Sequence, residues 1–419
     1  MVKVYSLILV ALACCTSGAG VAPDPPTASA AGHDAGAAAD AMLGAALDSD
    51  GATATCSGAR PACVVLPTQT NAASPISLAD GGALHPRGFI GDPSVMHDNG
   101  KHRMWFTSSR QRTPCAGAWY ECLVQGIAYA ESADGATWTP FLLPQSQTEL
   151  TTLVAEPPPG AWDETGMETA SVLRGHDGRL RMFYTGHRAP AGQALPWDAI
   201  GLAESDDGIA WKRATAPVFE PELPWERACC DAACNCRWGG VLEPSVLWDA
   251  ATKTYKMWYA AVGELGGVAT YRIGYATSPD GLSWTRAASP VLVPGAVGAW
   301  DSHVVSHVNV VADACAPGLH MFFHGYGAAE DAICQAGPCD GYTPGSIGYA
   351  FSTDGLTWTR GAAPILRPRQ GAWDGFFIGG PSALLRDGVL ELFYFGNADR
   401  ARANAFESQL ARLTVACEG

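Results

Sequence analysis

A seven-residue motif, Ser-x-Asp-Gly-x-x-Trp, recurs four times along this chain and constrains its fold more than any other feature. The motif tryptophans are Trp138, Trp211, Trp284 and Trp358. They are spaced 73, 73 and 74 residues apart, and an alternating apolar segment precedes each copy. Asp-Gly between two alternating runs is typical of a β-hairpin, because glycine accepts the positive φ that the turn needs. The period therefore predicts repeated modules of β-sheet.

Each repeat carries two further predicted strands upstream of the hairpin, such as Pro93–Met96 and Arg103–Phe106. A fifth unit lacks the motif but has its own strand pair and a third strand at Ser408–Val415. Four strands in each of five units predict an all-β fold, a five-bladed β-propeller of antiparallel blades. A strand near Cys63–Pro67 is expected to complete the fifth blade, since joining the two ends of the chain removes an exposed sheet edge.

The N-terminus has the composition of an export signal over residues 1–20. Lys3 precedes an apolar core, Leu7–Ala13, that is too short to span a bilayer. Ala11–Cys14 is similar to a bacterial lipobox, although Leu12 is bulkier than usual. We therefore expect either a cell-surface or periplasmic lipoprotein, with the lipid anchor as its only membrane contact, or a secreted protein. Residues 21–55 predict a disordered tether rich in Ala, Gly and Pro, and residues 56–419 the propeller.

Charge and cysteine content limit the partners and the compartment. The formal net charge of −15 argues against nucleic acid as a partner. Cysteines other than Cys14 and Cys15 number twelve, an even count that predicts disulfides in an exported chain. The dense cluster from Cys229 to Cys236 is interpreted as two disulfides holding a loop. A metal site is the less favoured alternative, because adjacent cysteines fit structural zinc poorly.

Candidate catalytic residues follow from the register of the repeat. The first strand of each blade has one residue three positions before its central apolar residue: Asp92, Thr169, Glu243, His307 and Gly380. Innermost strands converge on the channel of a propeller, so Asp92 and Glu243 are expected to face each other there, with Glu168 between them. Paired carboxylates of this kind cleave glycosidic bonds, one as general acid and one as base or nucleophile.

Gly91–Val95 and Leu242–Val246 resemble the catalytic elements of glycoside hydrolase family 43, which has family 62 and the invertase-like enzymes as relatives. The resemblance covers residues 85 to 416 and implies that Asp92 activates water, Glu243 protonates the leaving group and Glu168 supports Glu243, with inversion of the anomeric centre. The third acidic position of family 43, directly before the central valine of blade two, is Ser171 here. The chain is thus expected to be a divergent member of the five-bladed furanosidase superfamily that contains these families, and not of family 43 proper.

Further side chains are predicted to bind the sugar. His307 either contacts substrate, holds a structural Ca²⁺ in the channel as the resemblance suggests, or fills the channel; no cofactor is expected to be required. Arg110, His187 and Tyr326 follow second strands that end at the same mouth. Trp300 belongs to a repeated Gly-Ala-Trp-Asp element, also seen at residues 160–163 and 371–374, which favours packing between blades over sugar stacking.

The sequence favours an exported glycoside hydrolase acting on a poly- or oligosaccharide. Three alternatives stay open. A non-catalytic glycan-binding propeller would use Asp92 and Glu243 only as hydrogen-bond partners. A phosphorylase would need a cationic pocket for phosphate, and the predicted channel residues include no arginine cluster. A structural lipoprotein would use the propeller as an interaction platform.

Overall fold

The computed structural model describes residues 74–75, 77–78, 90–111, 123–144, 150–151, 153–187, 198–229, 237–265, 268–312, 318–335, 343–386, 389–398 and 409–416. Five four-stranded antiparallel sheets form a five-bladed β-propeller, which confirms the predicted fold. The predicted signal sequence, tether and cysteine pairings fall outside the described residues. Within the described part of the chain, no helix is both long enough and apolar enough to cross a membrane.

The blades follow one another along the chain, and the strands of each are ordered from the channel outward. Blade I contains β3 (Ile90–Asp98), β4 (Lys101–Gln111), β5 (Leu123–Ser132) and β6 (Thr137–Pro140). Blade II contains β10 (Gly166–Arg174), β11 (Leu180–His187), β12 (Ala199–Ser205) and β13 (Lys212–Arg213). Blade III contains β16 (Gly240–Asp249), β17 (Thr254–Leu265), β18 (Val268–Ser278) and β19 (Thr285–Arg286). Blade IV contains β20 (Val304–Ala312), β21 (Leu319–Tyr326), β22 (Ser346–Ser352) and β23 (Thr359–Arg360). Blade V contains β24 (Phe377–Arg386), β25 (Val389–Asn397), β26 (Gln409–Ala416) and β1 (Ser74–Pro75).

The remaining elements are short and lie outside this repeat. They are β2 (Ser77–Leu78), β7 (Leu143–Pro144), β8 (Leu150–Thr151), β9 (Leu153–Ala155), β14 (Ala228–Cys229), β15 (Arg237–Trp238), a 3₁₀ turn (Pro224–Glu226) and helix α1 (Ala328–Gln335). Helix α1 lies between β21 and β22.

The ring closes where the two ends of the chain meet, as predicted, but with a different segment. Strand β1 pairs antiparallel with β26, with Ser74 opposite Arg412. The fourth strand of blade V was predicted near Cys63–Pro67, but it is Ser74–Pro75, later in the chain. Residues 63–67 lie outside the described residues. Pairing with β1 covers the edge of β26, which would otherwise expose unpaired backbone groups.

Five hydrophobic clusters hold the ring together, and each lies between two neighbouring blades. Phe106, Trp138 and Phe393, for example, join blades I and V. Trp258 and Phe323 belong to the cluster between blades III and IV. Because every sheet packs on the next, each blade buries both of its faces, and the fold needs no single central core.

A closed belt of hydrogen bonds circles the channel inside these clusters. In each blade, the side chain directly before the central apolar residue accepts a hydrogen bond from the backbone N–H of the central residue in the next blade. The donor–acceptor pairs are Val172–Ser94, Val246–Ser171, Val310–Ser245, Ala383–Asn309 and Val95–Ser382, at 2.8–3.0 Å. We call Ser94, Ser171, Ser245, Asn309 and Ser382 the belt. It fixes the angular register of all five inner strands.

The two repeated motifs serve the architecture. In each hairpin the aspartate accepts two backbone N–H groups, as Asp134 does from Ala136 and Thr137, while the tryptophan donates to the glycine carbonyl. The motif glycines have φ between 71° and 80°. Trp300 stacks on Phe323 with ring centroids 5.7 Å apart. Its aspartate, Asp301, is fully buried and pairs with Arg360 at 2.6 Å.

Candidate functional site

The five positions predicted to line the channel share an unusual backbone conformation. Asp92, Thr169, Glu243, His307 and Gly380 have φ of 47°, 50°, 52°, 43° and 55°. Each lies at a bulge where the pairing of the first two strands shifts register. Positive φ costs about 1–2 kcal/mol for a residue other than glycine, and four of these five residues are not glycine. We call these five residues the bulge ring; Asp92, Thr169, His307 and Gly380 also line a channel cavity of about 20 Å³.

The structure brings Asp92 and Glu243 together around one imidazole. His307 Nε2 lies 3.3 Å from Asp92 Oδ1 and 3.3 Å from Glu243 Oε1. The side chains of both acids are 3% exposed, and that of His307 is 13% exposed. Because both carboxylate oxygens contact the same nitrogen, their separation is at most twice 3.3 Å. Glu243 therefore faces the channel and not the interior of a blade.

One substitution between blades explains how Glu243 is held. In blades I and II, a threonine on the second strand accepts the bulge N–H of the next blade, Thr107 from Thr169 and Thr185 from Glu243. The equivalent residue of blade III is Ala260, which has no hydroxyl. Glu243 Oε2 takes its place and accepts the backbone N–H of His307 at 2.5 Å. Backbone and imidazole of His307 thus hold the two oxygens of one carboxylate.

Burial sets the protonation of this group. It raises the pKa of Glu243 to about 7, although the positive charge and the backbone N–H of His307 act in the opposite direction. Burial alone would lower the pKa of His307, but the carboxylates of Glu243 and Asp92 outweigh it and raise that pKa to about 9. His307 is then a cation near neutral pH, and Glu243 exchanges a proton in the same range. A pKa near 7 suits a general acid.

Glu168 lies in a second ion-paired group beside the first. His187 Nε2 lies 3.1 Å from Glu168 Oε1, and His187 Nδ1 lies 2.8 Å from Asp198 Oδ1. Gln125 donates to Glu168 Oε2 at 2.8 Å. Both carboxylates raise the pKa of His187 well above its usual value in spite of burial. Both oxygens of Glu168 are therefore bound by neighbours other than Glu243, although its charge still adds to the raised pKa of Glu243.

The other predicted binding residues are placed as follows. Arg110 makes a bidentate ion pair with Glu156, both contacts at 2.7 Å. The ring of Tyr326 lies edge-on to His324, with centroids 6.2 Å apart. Trp300 lies on Phe323, away from any described contact with the two acids. Substrate binding by these three residues stays a prediction.

Tyr271 belongs to this neighbourhood and was not among the residues predicted from the sequence. Burial raises its pKa well above the usual value, and the charges of Glu243 and Asp198 add to the effect, so its hydroxyl is neutral. A signal was present in the repeat, since Tyr271 stands two residues before Ile273 as Gln125 and Asp198 stand before Ile127 and Ile200. The predicted channel positions all lie on first strands, whereas this position lies at the third strand.

Ser171, the departure from family 43, is explained by the belt. Its hydroxyl accepts the N–H of Val246 at 2.9 Å, so the position links blades II and III. The described residues contain no group of three His, Cys, Asp or Glu side chains able to hold a metal ion. With a cationic His307 between the two acids, the set does not match the all-oxygen shell that Ca²⁺ prefers.

Comparison with known proteins gives a shared fold and two uncharacterised relatives. No protein-family model matches the chain. It is 27% identical over 253 residues to the uncharacterized protein Rv1502 of Mycobacterium tuberculosis, covering 57% of this chain and 69% of the relative, and equally similar to protein MT1551 of another strain.

Solved structures with the same fold act on carbohydrates according to their descriptions. A glycoside hydrolase superposes with a TM-score of 0.57 at 20% identity, covering 79% of this chain and 88% of that one. A thermostable family-43 glycoside hydrolase gives 0.53 at 17% identity, covering 81% and 92%. The β-1,2-mannobiose phosphorylase of Listeria innocua gives 0.54 at 15% identity, covering 80% and 92%. At these identities the likeness shows the propeller fold alone.

Proposed function

We propose that this chain is a glycoside hydrolase in which Glu243 is the general acid and Asp92 the general base. The observation that carries the proposal is the contact of both carboxylates with His307 Nε2, at 3.3 Å each, on the axis of the propeller. An acid buried to a pKa of about 7, opposite a second carboxylate, supplies the two proton-transfer groups that glycoside cleavage needs. Solved propellers that hydrolyse glycosides share the fold.

The charges of the mouth support water over phosphate as the second substrate. Within the described residues, three cations of the predicted channel and mouth are paired with carboxylates: His307 with Asp92 and Glu243, His187 with Glu168 and Asp198, and Arg110 with Glu156. A phosphate ion entering there would meet an excess of negative charge. The proposal is therefore a hydrolase and not a phosphorylase.

In the proposed reaction, Glu243 gives its proton to the leaving oxygen and Asp92 takes a proton from the attacking water, with inversion. The nearest oxygens of the two acids are at most twice 3.3 Å apart, a limit that admits both the separation of about 5–5.5 Å of retaining enzymes and the lower end of the 6.5–9.5 Å of inverting ones. Inversion is therefore proposed from the resemblance to family 43. His307 fixes Glu243 through its backbone N–H and carries the positive charge between the acids. NMR of the first-formed anomer tests this, and a product of retained configuration would make Asp92 a nucleophile.

The function is tested by hydrolysis of a panel of 4-nitrophenyl glycosides and polysaccharides. Asp92→Asn should lower kcat by about 10²–10⁴, the share of a general base. Asp206→Asn, at a solvent-exposed carboxylate, is the matched control and should not change the rate. If wild type and Asp92→Asn bind glycans equally and neither hydrolyses them, the chain is a glycan-binding propeller. Export and a lipid anchor at Cys14 belong to this proposal and need localisation of the full-length protein.

A further inference from the structure

The imidazoles of His187 and His307 are held in different ways. His187 has a carboxylate on each ring nitrogen, Glu168 on Nε2 at 3.1 Å and Asp198 on Nδ1 at 2.8 Å. His307 has both of its carboxylates on Nε2, at 3.3 Å each. Its Nδ1 has no hydrogen-bond partner in the described structure. The ring of His187 is therefore fixed at both nitrogens, whereas the ring of His307 is held at one.

The ring of His307 also has space beside it. His307 and Asp92 both line the channel cavity of about 20 Å³. Asp92 Oδ1 lies 3.3 Å from His307 Nε2, in an ion pair that lacks the geometry of a hydrogen bond. The imidazole must therefore tilt slightly before Nε2 can exchange a proton with Asp92. Buried rings are otherwise held by close packing, and the cavity gives this one room to move.

Hydrolysis with inversion leaves the two acids in the wrong protonation states for a second turnover. Glu243 has given its proton to the leaving oxygen, and Asp92 has taken one from the attacking water. One proton must therefore pass from Asp92 to Glu243, either within the protein or by way of the solvent. Both side chains are only 3% exposed, which limits exchange with the solvent, and His307 Nε2 contacts both.

We propose that His307 returns this proton from Asp92 to Glu243 after each turnover. The inference rests on the proposed function, including inversion of the anomeric centre. Cationic His307 first gives the proton on Nε2 to Glu243 Oε1, so that an N–H bond breaks as an O–H bond forms. The lone pair left on Nε2 then takes the proton from Asp92 Oδ1 as the ring tilts toward it. Nδ1 keeps its proton throughout, so His307 ends as a cation, Asp92 as a carboxylate and Glu243 as the protonated acid.

The buffer dependence of turnover tests the proposal, because a buffer can replace an internal proton carrier. At saturating substrate, fixed pH and fixed ionic strength, wild-type kcat should not depend on the concentration of imidazole or Mes. In His307→Gln the proton must return through the solvent, so kcat should rise about tenfold between about 5 and about 200 mM buffer. In both proteins kcat/KM should not respond, since the proton returns after the steps that kcat/KM reports. A merely structural role of His307 would not separate kcat from kcat/KM in this way.

His320→Gln is the matched control, because His320 is buried in the same blade and bonds Tyr349 at 2.8 Å. Its kcat should stay independent of buffer. A wild-type kcat that rises with buffer, or a His307→Gln kcat that does not, would overturn the proposal while leaving hydrolysis established. A product of retained configuration would do the same, because the acid of a retaining enzyme regains its proton from the attacking water. A wild-type protein that cleaves none of the panel would instead overturn the proposed function.

Discussion

Two rings of side chains lie two residues apart on the same five strands and behave very differently. The belt is nearly uniform, with serine in blades I, II, III and V and Asn309 in blade IV, and every member makes the same bond to the next blade. The bulge ring keeps one backbone conformation but has five different side chains. Equivalent residues are therefore nearly identical where they hold the strands in register, and they differ where chemistry requires unlike groups to meet.

Two buried histidines show how sharply the environment changes around the axis. His307 and His324 have ring centroids 5.8 Å apart. The pKa of His307 is raised by Glu243 and Asp92, while that of His324 is lowered by burial and by the charge of His307. Blades I to III supply the carboxylates, and blade V places Phe377 and Phe395 near these two rings. The position of a residue relative to the carboxylates decides its charge, since both rings are buried.

Among substitutions that compare the two rings, the largest effect is expected from removing the cation of the bulge ring. His307→Gln should lower kcat and move the alkaline limb of the kcat/KM profile upward from about pH 7, because the charge that lowers the pKa of Glu243 is lost. A displacement of about one pH unit or more is expected for a charge at this distance. His320→Gln is the control, since His320 is buried in the same blade and bonds Tyr349 at 2.8 Å. If the alkaline limb of the kcat/KM profile does not move in His307→Gln, the charge of His307 does not control the pKa of Glu243.

The raised pKa of His307 also predicts how stability depends on pH. A folded-state pKa near 9 against an ordinary value of 6.5 means that the folded protein binds this proton more tightly. Its contribution to the free energy of unfolding is complete below about pH 6.5 and is lost as the pH rises through about 9. Urea unfolding of wild type and His307→Gln at pH 6 and pH 9.5 measures it. The stability difference between the two proteins should shrink at the higher pH, and a constant difference would contradict the assignment.

A belt substitution should affect stability and spare the chemistry. Ser171→Ala leaves the buried N–H of Val246 without its acceptor, at a cost of about 1–3 kcal/mol in the free energy of unfolding. Ser283→Ala, at an exposed hairpin serine, should cost less than about 0.5 kcal/mol. Urea denaturation measures both, and kcat/KM of the folded Ser171→Ala protein should stay near wild type. A loss of activity without a loss of stability would mean that the belt takes part in catalysis.

The smallest effect is expected at Thr169, the bulge-ring member with the least evident chemistry. It is β-branched at a φ of 50°, and its Oγ1 has no hydrogen-bond partner in the described structure. Thr169→Gly relieves about 1–2 kcal/mol of backbone strain against the entropy cost of glycine, so the free energy of unfolding should rise by up to about 1 kcal/mol. Thr137→Gly, at an exposed strand position, should instead lower it by about 0.5–1 kcal/mol. If both substitutions lower the free energy of unfolding, the backbone of Thr169 is not strained.

The sequence predicted the blade count, the strand register and the placement of Asp92, Glu243 and His307 at equivalent channel positions, because all three depend on a period that repeats along the chain. It did not predict the strand Ser74–Pro75, which completes blade V without any repeated signal. The hydrogen bond from the backbone N–H of His307 to Glu243 was not predicted either. It depends on Ala260 lacking the hydroxyl that Thr107 and Thr185 have at the equivalent position, and these three residues are far apart in the sequence. Tyr271 was missed because it lies on the third strand of its blade, where the side chains at equivalent positions differ from blade to blade.

The most direct test of the central claim is the dependence of Glu243→Gln on the leaving group. An acid is needed to expel a poor leaving group and hardly at all for a good one, so the variant should lose about 10²–10⁴ in kcat/KM on a disaccharide. On the 2,4-dinitrophenyl glycoside of the same sugar it should stay close to wild type. An equal loss on both substrates, or no loss on either, would contradict the assignment of Glu243 as the acid of this site.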